Sequence, residues 1–228
     1  MGYLLTIEAP DASGKSTQVN LLTQRLTQDG YKVKLIRFPN YGSEACKPVE
    51  LYLGGVLGKN PMDTDAYAAS VLFAVDRLFS YRTDWKKDLD DQNTVVILDR
   101  YTTSNAVHQL AKIDDTEKKE EFLSWLYDFE FEKLSLPVPD DTIFLDVTPD
   151  VSSLLLEKRA KEDKTHLTDI HEADREYLSR CYNSAIFAAQ KKGWKRIKCT
   201  EMGIMRSIDD INYELYTYVK GRILELFK

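Results

Sequence analysis

The chain has 228 residues, of which 43% are hydrophobic, 30% charged and 11% aromatic, a composition that excludes a disordered protein. A chain of this length buries about 70% of the surface that its unfolded form exposes, so its core needs no disulfide or metal. The formal net charge of -6 gives no general attraction to DNA, RNA or anionic membranes, so any anionic ligand must meet a local basic site.

The cysteine pattern indicates a reducing compartment. The three cysteines, Cys46, Cys181 and Cys199, are odd in number and form no C-x-x-C pair. No apolar run reaches the roughly 18 residues that a membrane span needs, so we expect a cytoplasmic protein. Since no repeat or flexible linker divides the sequence, we expect one domain over residues 1–228, without nucleic-acid or membrane partners.

Strand-like runs alternate along the chain with segments long enough for helices. The runs are Tyr3–Ile7, Val33–Arg37, Thr94–Leu98, Thr142–Val147 and Arg196–Cys199. Two of them, V-V-I-L and I-F-L-D-V, are apolar on consecutive residues, as expected for strands covered by helices on both faces. The alternation predicts an α/β fold with a parallel sheet of five strands.

Five helical segments are predicted between and after these strands. The first begins at Gly14-Lys15, carries apolar residues at helical spacing and ends at Gly30. The others cover residues 65–82, 116–133 and 150–191, and the stretch from residue 207 to the C-terminus. A charged stretch near Glu162 to Asp169 interrupts the fourth of them.

The turn after the first strand reads E-A-P-D-A-S-G-K-S-T over residues 8–17. Its second half matches the phosphate-binding pattern G-x-x-x-x-G-K-[ST] and lies between a strand and a helix, as that mechanism requires. There, backbone N–H groups would hold the donor phosphates, Lys15 would reach the terminal ones and the Ser16 hydroxyl would ligate magnesium. Ala9 replaces the first glycine and weakens the match, because glycine tolerates positive φ. The alternative is an ordinary polar loop.

A carboxylate follows the third strand, in the sequence Leu98-Asp99-Arg100-Tyr101. The carboxyl ends of parallel strands share one edge of the sheet, so Asp99 can hold magnesium beside the first loop. A helix N-cap or a surface ion pair with Arg100 is the alternative.

Phe73 and Arg77 are four residues apart on the second predicted helix and share one face. If that helix borders a cleft, the ring can stack on a base while the guanidinium binds a phosphate. The alternative is that both side chains only pack in the core.

Four motifs together resemble the thymidylate kinase family, and the match covers nearly the whole chain. They are I-E-A-P-D-A-S-G-K-S-T-Q at 7–18, R-F-P at 37–39, L-F-A-V-D-R at 72–77 and D-R-Y-T-T-S-N-A-V-H-Q at 99–109. The segments E-K-R-A-K at 157–161 and D-I-H-E at 169–172 also look like that family. The resemblance implies a three-layer P-loop fold, a mobile lid at about 157–170, ATP and Mg²⁺ as cofactors, and a homodimer.

The resemblance also implies roles for individual residues. The acceptor dTMP would be met by Glu8, Asp11, Arg37, Phe38, Phe73, Arg77, Arg100, Ser104, Asn105 and Gln109. Within that set, Phe73 would stack on thymine, Gln109 would read the pyrimidine edge, and the arginines would contact the monophosphate or organise its surroundings. ATP would be held by Asp11, Ala12, Ser13, Gly14, Lys15, Ser16 and Thr17, and magnesium by Ser16 and Asp99. Catalysis would involve Lys15, Asp99, Arg100, Arg159 and Lys161.

Three positions depart from the family pattern. Two of them lie in the predicted phosphate-binding turn over residues 8–17, called the donor loop below: Ala9 stands where the family has glycine, and Ala12 where it has glycine or arginine. The third is His108, at a position where tyrosine or phenylalanine is common. The resemblance then implies that basic help comes from the lid, from Arg159, Lys161 or Lys164. The expected reaction is transfer of the ATP γ-phosphoryl group to dTMP, giving dTDP.

Three alternatives to this reaction stay open. The first two are a deoxynucleoside kinase and a kinase for another deoxynucleoside monophosphate. The third is a noncatalytic nucleotide-binding relative, which Ala9 motivates. His166 and His171 are five residues apart, a poor spacing for a helical metal pair, so we expect solvated or capping roles for them.

Overall fold

A central sheet of five parallel strands organises the chain. The computed structural model describes residues 1–162, 170–171 and 174–227. The strands are β1 (Tyr3–Glu8), β2 (Lys32–Arg37), β3 (Thr94–Asp99), β4 (Asp141–Asp146) and β5 (Lys195–Lys198), and they lie in the order β2-β3-β1-β4-β5. The predicted α/β fold with five parallel strands is therefore confirmed.

Helices flank both faces of this sheet. The α-helices are α1 (Lys15–Gln28), α2 (Lys47–Leu53), α3 (Ala66–Ser80), α4 (Lys86–Asp90), α5 (Thr102–His108), α6 (Thr116–Tyr127), α7 (Pro149–Glu162), α8 (Arg175–Lys192) and α9 (Ile208–Leu226). One π-helical segment, Tyr81–Trp85, joins α3 to α4, and another, Asp128–Lys133, extends α6. A small hairpin of β6 (Thr200–Glu201) and β7 (Ile204–Met205) precedes α9. None of the helices in the described ranges is long and apolar enough to cross a membrane.

Alternate residues of β1 point into two separate cores. Tyr3, Leu5 and Ile7 pack with α1 and α9 on one face, whereas Leu4 packs on the other face with the segment around Trp85. The rest of that second face is covered by α5, α6 and α8. Because both faces are buried, the central strands are apolar on consecutive residues, which is the pattern seen in the sequence.

The predicted helices agree with the structure at most of their ends. Asp65 caps α3 by accepting hydrogen bonds from the backbone N–H groups of Tyr67 and Ala68, and Gly193 ends α8 in a left-handed conformation with φ 68°. The short helices α2, α4 and α5 and the hairpin were not predicted. The predicted lid, at about 157–170, begins within α7, and its remainder lies with the predicted interruption largely outside the described residues, so both stay predictions.

Candidate functional site

One cavity of about 1060 Å³ opens where β1, β2 and β3 end. Its lining comes from the loops that follow these three strands and from α3, α5 and α7. This is the edge at which α/β sheets bind ligands. Every described residue assigned to the site from the sequence lines it except Glu8, which lies buried beneath it. The side chain of Lys161, and Lys164 and His166 as a whole, lie outside the described residues.

Lys15 and Asp99 form an ion pair at the centre of the cavity floor. Arg37 approaches the same carboxylate, with Nε 3.5 Å from Oδ2, and donates through Nη2 to Oδ1 of Asn20 at 2.5 Å. Asp99 therefore neither caps a helix nor pairs with Arg100, and its place beside Lys15 is the one expected of a nucleotide site. Burial and the positive charge of Arg100 lower the pKa of Lys15, although Asp99 opposes this change.

Arg100 turns away from Asp99 because its backbone is left-handed, with φ 71°. Its Nη1 donates to Oε1 of Glu8 at 2.9 Å, and its Nη2 donates to Asp11. The other oxygen of Glu8 accepts a hydrogen bond from Ser104 Oγ at 2.5 Å. Burial opposes ionisation of Asp11, but the positive charge of Arg100, together with smaller contributions from His108, Lys15 and His171, outweighs burial and lowers the pKa of Asp11. Arg100 thus holds one carboxylate that lines the cavity, Asp11, and one that lies beneath it, Glu8.

The donor loop is curved at Ala12 and Gly14, whose φ angles are 55° and 80°. Ala9 was expected to weaken the loop because alanine resists positive φ, but Ala9 is buried and adopts no positive φ. Ser16 and Thr17 are exposed in the first turn of α1 and face the cavity. The left-handed residues bend the chain so that the start of this helix meets the space that a phosphate would fill.

Two oxygen donors, one at the start of α1 and one at the end of β3, fit a magnesium ion. Mg²⁺ in nucleotide sites takes one or two protein oxygens and completes its shell with phosphate oxygens and water. Ser16 offers a hydroxyl and Asp99 a carboxylate, and both line the same cavity. No group of three or more His, Cys, Asp or Glu side chains suited to a metal occurs within the described ranges. A two-ligand site of this kind needs no such group.

The opposite wall is formed by α3 and α5. Phe73 meets Tyr52 edge-on, with ring centroids 5.9 Å apart, and Arg77 is only 1% exposed. Two guanidinium nitrogens of Arg77 bind the carboxylate of Glu130, Nε at 2.7 Å and Nη2 at 2.6 Å. The expected shared face of Phe73 and Arg77 is present, but this ion pair does not favour direct phosphate binding by Arg77. The second expected role, organising the surroundings, fits the geometry better.

Gln109 points an unsatisfied amide at the cavity. Its side chain is 0% exposed and lines the cavity, and neither amide atom has a hydrogen-bond partner in the described part of the chain. A buried amide without partners costs free energy unless a ligand supplies them. This arrangement suits a ligand edge that both donates and accepts hydrogen bonds.

His171 was expected to be solvated or to cap a helix, and that expectation is wrong. It is 5% exposed, its Nε2 lies 2.9 Å from the hydroxyl of Tyr52, and its ring stacks on His108 at 5.2 Å. Burial, together with the nearby charges of His108 and Lys112, moves the pKa of His171 well below its usual range. Burial also lowers the pKa of His108. No local pattern could reveal this contact, because Tyr52 and His171 are far apart in the sequence.

Glu130 is the buried polar residue at this wall that sequence reasoning missed. It lies in the π-helical extension of α6, within the sequence F-E-F, and is 0% exposed. A lone carboxylate between two phenylalanines was the available signal, but it did not indicate which cation would be its partner.

Comparisons with known proteins identify one family. The family model described as thymidylate kinase matches residues 7–205. The thymidylate kinase of Mycobacterium tuberculosis is 31% identical over 193 residues, covering 84% of this chain and 87% of its own. The human thymidylate kinase is 29% identical, over 63% of this chain and 60% of its own. That of Exiguobacterium sibiricum is 24% identical over 97% of both chains.

Proposed function

The chain belongs to the thymidylate kinase family, and from that premise we propose that it transfers the γ-phosphoryl group of ATP to the 5′-phosphate of dTMP, giving dTDP and ADP. One observation carries the proposal. Lys15, Arg37, Arg100 and Arg159 converge on one cavity, although the chain as a whole is acidic. Two phosphorylated substrates bring more negative charge than an ATP site alone, and such a cluster neutralises it.

The donor half would hold ATP through the loop and the first turn of α1. Lys15 neutralises charge on the transferred group, and Arg159 on α7 adds a second cation from the facing side of the cavity. Ser16 and Asp99 would hold Mg²⁺, which when bound neutralises and orients the donor phosphates. Lys15 would then face the negative charge of the donor phosphates, and Asp99 would face the positive charge of the magnesium ion.

The acceptor half needs no strong general base, because a phosphate oxygen is already an anion at neutral pH. A deoxynucleoside kinase, by contrast, must deprotonate a hydroxyl. Three carboxylates line the cavity, those of Asp11, Glu50 and Asp99. Lys15 pairs with Asp99 and Lys47 with Glu50, whereas Arg100 engages both Asp11 and the underlying Glu8. Because its pKa is lowered, Asp11 is a weak base near neutral pH. These contacts support a monophosphate acceptor over a nucleoside, and the partnerless amide of Gln109 supports a pyrimidine edge as its base.

A coupled assay tests this function. ADP formation is measured with Mg-ATP and a panel of dTMP, thymidine and the other deoxynucleoside monophosphates. We expect turnover with dTMP and little with thymidine. Turnover with thymidine but not with dTMP would refute the acceptor assignment. ATP binding without turnover on any acceptor would favour the noncatalytic alternative.

The outer face of α3 supports a homodimer. Its exposed apolar residues are Tyr67 at 41%, Val71 at 39% and Phe79 at 55%, and its two charged residues, Asp76 and Arg77, are buried. The solvent side of this 15-residue helix therefore carries no charge. A second copy would cover it with the same apolar surface, as a two-fold interface requires.

Light scattering during size-exclusion chromatography tests this interface. Val71→Asp should convert a dimer to a monomer because it buries an unpaired charge. Tyr213→Asp, on the exposed side of α9, is the matched control and should leave the mass unchanged. A monomeric wild-type chain, or a dimer that tolerates Val71→Asp, would contradict the proposal.

We also assign the protein to the cytosol, which its three buried, unbridged cysteines support.

A further inference from the structure

Glu130 accepts hydrogen bonds from α3 and α5, the two helices that form the wall opposite the donor loop, called the acceptor wall below. Arg77 on α3 donates to both of its oxygens, at 2.7 and 2.6 Å. Thr102 Oγ1 on α5 donates to Oε2 at 2.7 Å, and Asn105 Nδ2 lies 3.4 Å from Oε1. One buried carboxylate therefore ties together the helix that carries Phe73 and the helix that leads to Gln109.

The carboxylate also fixes which part of Arg77 remains available. Nε and Nη2 are held by Glu130, whereas Nη1 makes only a long contact of 3.4 Å to the carbonyl oxygen of Tyr101. An Nη nitrogen carries two N–H groups, so Nη1 retains a donor for a ligand in the cavity that Arg77 lines. Because Glu130 neutralises the guanidinium, this donor suits a neutral acceptor group, such as a carbonyl on a base, better than a phosphate.

A buried ion pair is weak evidence for a purely stabilising role. Removing two charges from water is costly, and well-packed apolar residues often give equal stability. The Arg77–Glu130 pair is 1% and 0% exposed, on a wall that apolar side chains could also form. Its position against the cavity therefore points to recognition.

We propose that Glu130 is a positioning residue for the acceptor: it holds Arg77 so that Nη1 faces the base of bound dTMP, and it sets acceptor affinity without touching the ligand. The inference rests on the proposed function, since it assigns this wall to dTMP. The donor loop lies on the other side of the cavity and does not contact Glu130. Changes at Glu130 should therefore act on one substrate only.

Steady-state kinetics of Glu130→Gln test this role. The amide cannot accept from Arg77 at both positions, so we expect the KM for dTMP to rise about tenfold or more, with the KM for ATP within about twofold of wild type. Calorimetric titration with dTMP alone should show the same loss of affinity without turnover. Equal changes in both KM values, or no change in either, would overturn the proposal.

Further variants separate positioning from folding. Glu130→Asp keeps the charge and should partly restore dTMP affinity, and it carries the test if Glu130→Gln does not fold. Arg77→Met combined with Glu130→Leu removes both charges and should unfold near the wild-type temperature while dTMP affinity stays low. If that double variant binds dTMP as wild type does, the pair only packs and the proposal fails. Glu120→Gln on α6, which breaks an exposed pair with Lys191 of α8, should change neither KM.

The wild-type assay separates the two levels of inference. If the wild type turns over dTMP and Glu130→Gln leaves the KM for dTMP unchanged, the positioning role of Glu130 is refuted and the proposed function is not. Absence of dTMP binding and turnover in the wild type would remove the proposed function, and this inference with it.

Discussion

The two sides of the cavity are built by different means. The donor loop is a continuous stretch of chain, bent by left-handed residues, that presents Ser16 and Thr17 exposed beside Lys15. The acceptor wall is assembled from α3, α5 and the π-helical extension of α6, and its polar groups are buried against one another around Glu130. One side is therefore specified by local geometry and the other by long-range packing. Substitutions on the two sides should affect different substrates.

The largest effect is expected at the donor side. Lys15→Met removes the cation that, under the proposed function, meets the transferred phosphoryl group, and we expect kcat to fall by about 10³-fold or more. The measurement is ADP formation with saturating dTMP. Lys34→Met, which breaks a pair with Asp84 at the edge of the sheet, is the control and should retain activity. A Lys15→Met enzyme with kcat near wild type would remove the donor assignment.

Arg77→Ala should produce the next largest effect, on the acceptor side. The substitution removes the guanidinium that we propose contacts dTMP, and it leaves Glu130 buried without its cation. We therefore expect the KM for dTMP to rise about 100-fold and the KM for ATP to change little. Arg82→Ala, a few residues further along the same helical run and exposed, should leave both KM values unchanged. Equal effects of Arg77→Ala on both substrates would erase the distinction between the two sides.

The stacked pair of His108 and His171 should make the acceptor wall sensitive to acid. Burial places both folded pKa values below about 6.5, the value of an exposed histidine, so the unfolded chain binds more protons as the pH falls. Their contribution to stability is complete above about pH 6.5 and is lost as the pH drops toward the folded pKa values, by up to about 1.4 kcal/mol per pH unit for each histidine.

Urea unfolding between pH 4.5 and 8 measures this dependence. Replacing both histidines with phenylalanine should flatten the profile below pH 6.5 and leave it unchanged near pH 8. A slope that survives the double replacement would assign the acid sensitivity to other titratable groups, of which Asp11, whose pKa is lowered in the folded chain, is the neighbouring carboxylate.

The smallest effect concerns the bend of the donor loop. Ala12→Gly should raise the free energy of unfolding by up to about 1 kcal/mol, because glycine adopts φ 55° without a Cβ clash. Ala9→Gly is the matched control: its φ is not left-handed and its methyl group is buried, so this change should destabilise by about 1 kcal/mol. If thermal unfolding shows instead that Ala12→Gly destabilises the protein and Ala9→Gly stabilises it, the strained residue is Ala9.

Sequence reasoning succeeded where the signal is contiguous. The five strands were located because each is a short apolar run, and Lys15 and Ser16 because their loop has a fixed spacing between a strand and a helix. The meeting of this loop with Asp99 followed from the geometry of parallel strands. These inferences needed only the chain order and the edge at which the strands end.

The acceptor wall could not be predicted to the same depth. Phe73 and Arg77 were placed correctly on one helix face, but the partner of Arg77 lies 53 residues away, in a segment whose pattern is that of an ordinary helix. The contact between Tyr52 and His171 spans 119 residues. Which buried carboxylate meets which cation depends on how α3, α5 and α6 pack, and helical periodicity carries no such information.

By itself, the sequence determined the α/β class and the parallel sheet and predicted a phosphate-binding loop, because hydrophobic period, glycine position and loop spacing are local properties of the chain. Only the tertiary structure decided that Asp99 pairs with Lys15, that Arg100 holds Glu8 and Asp11, and that Glu130 anchors Arg77. The physical reason is that a buried charge must find a partner, and the fold, not the neighbouring sequence, determines which one lies within reach.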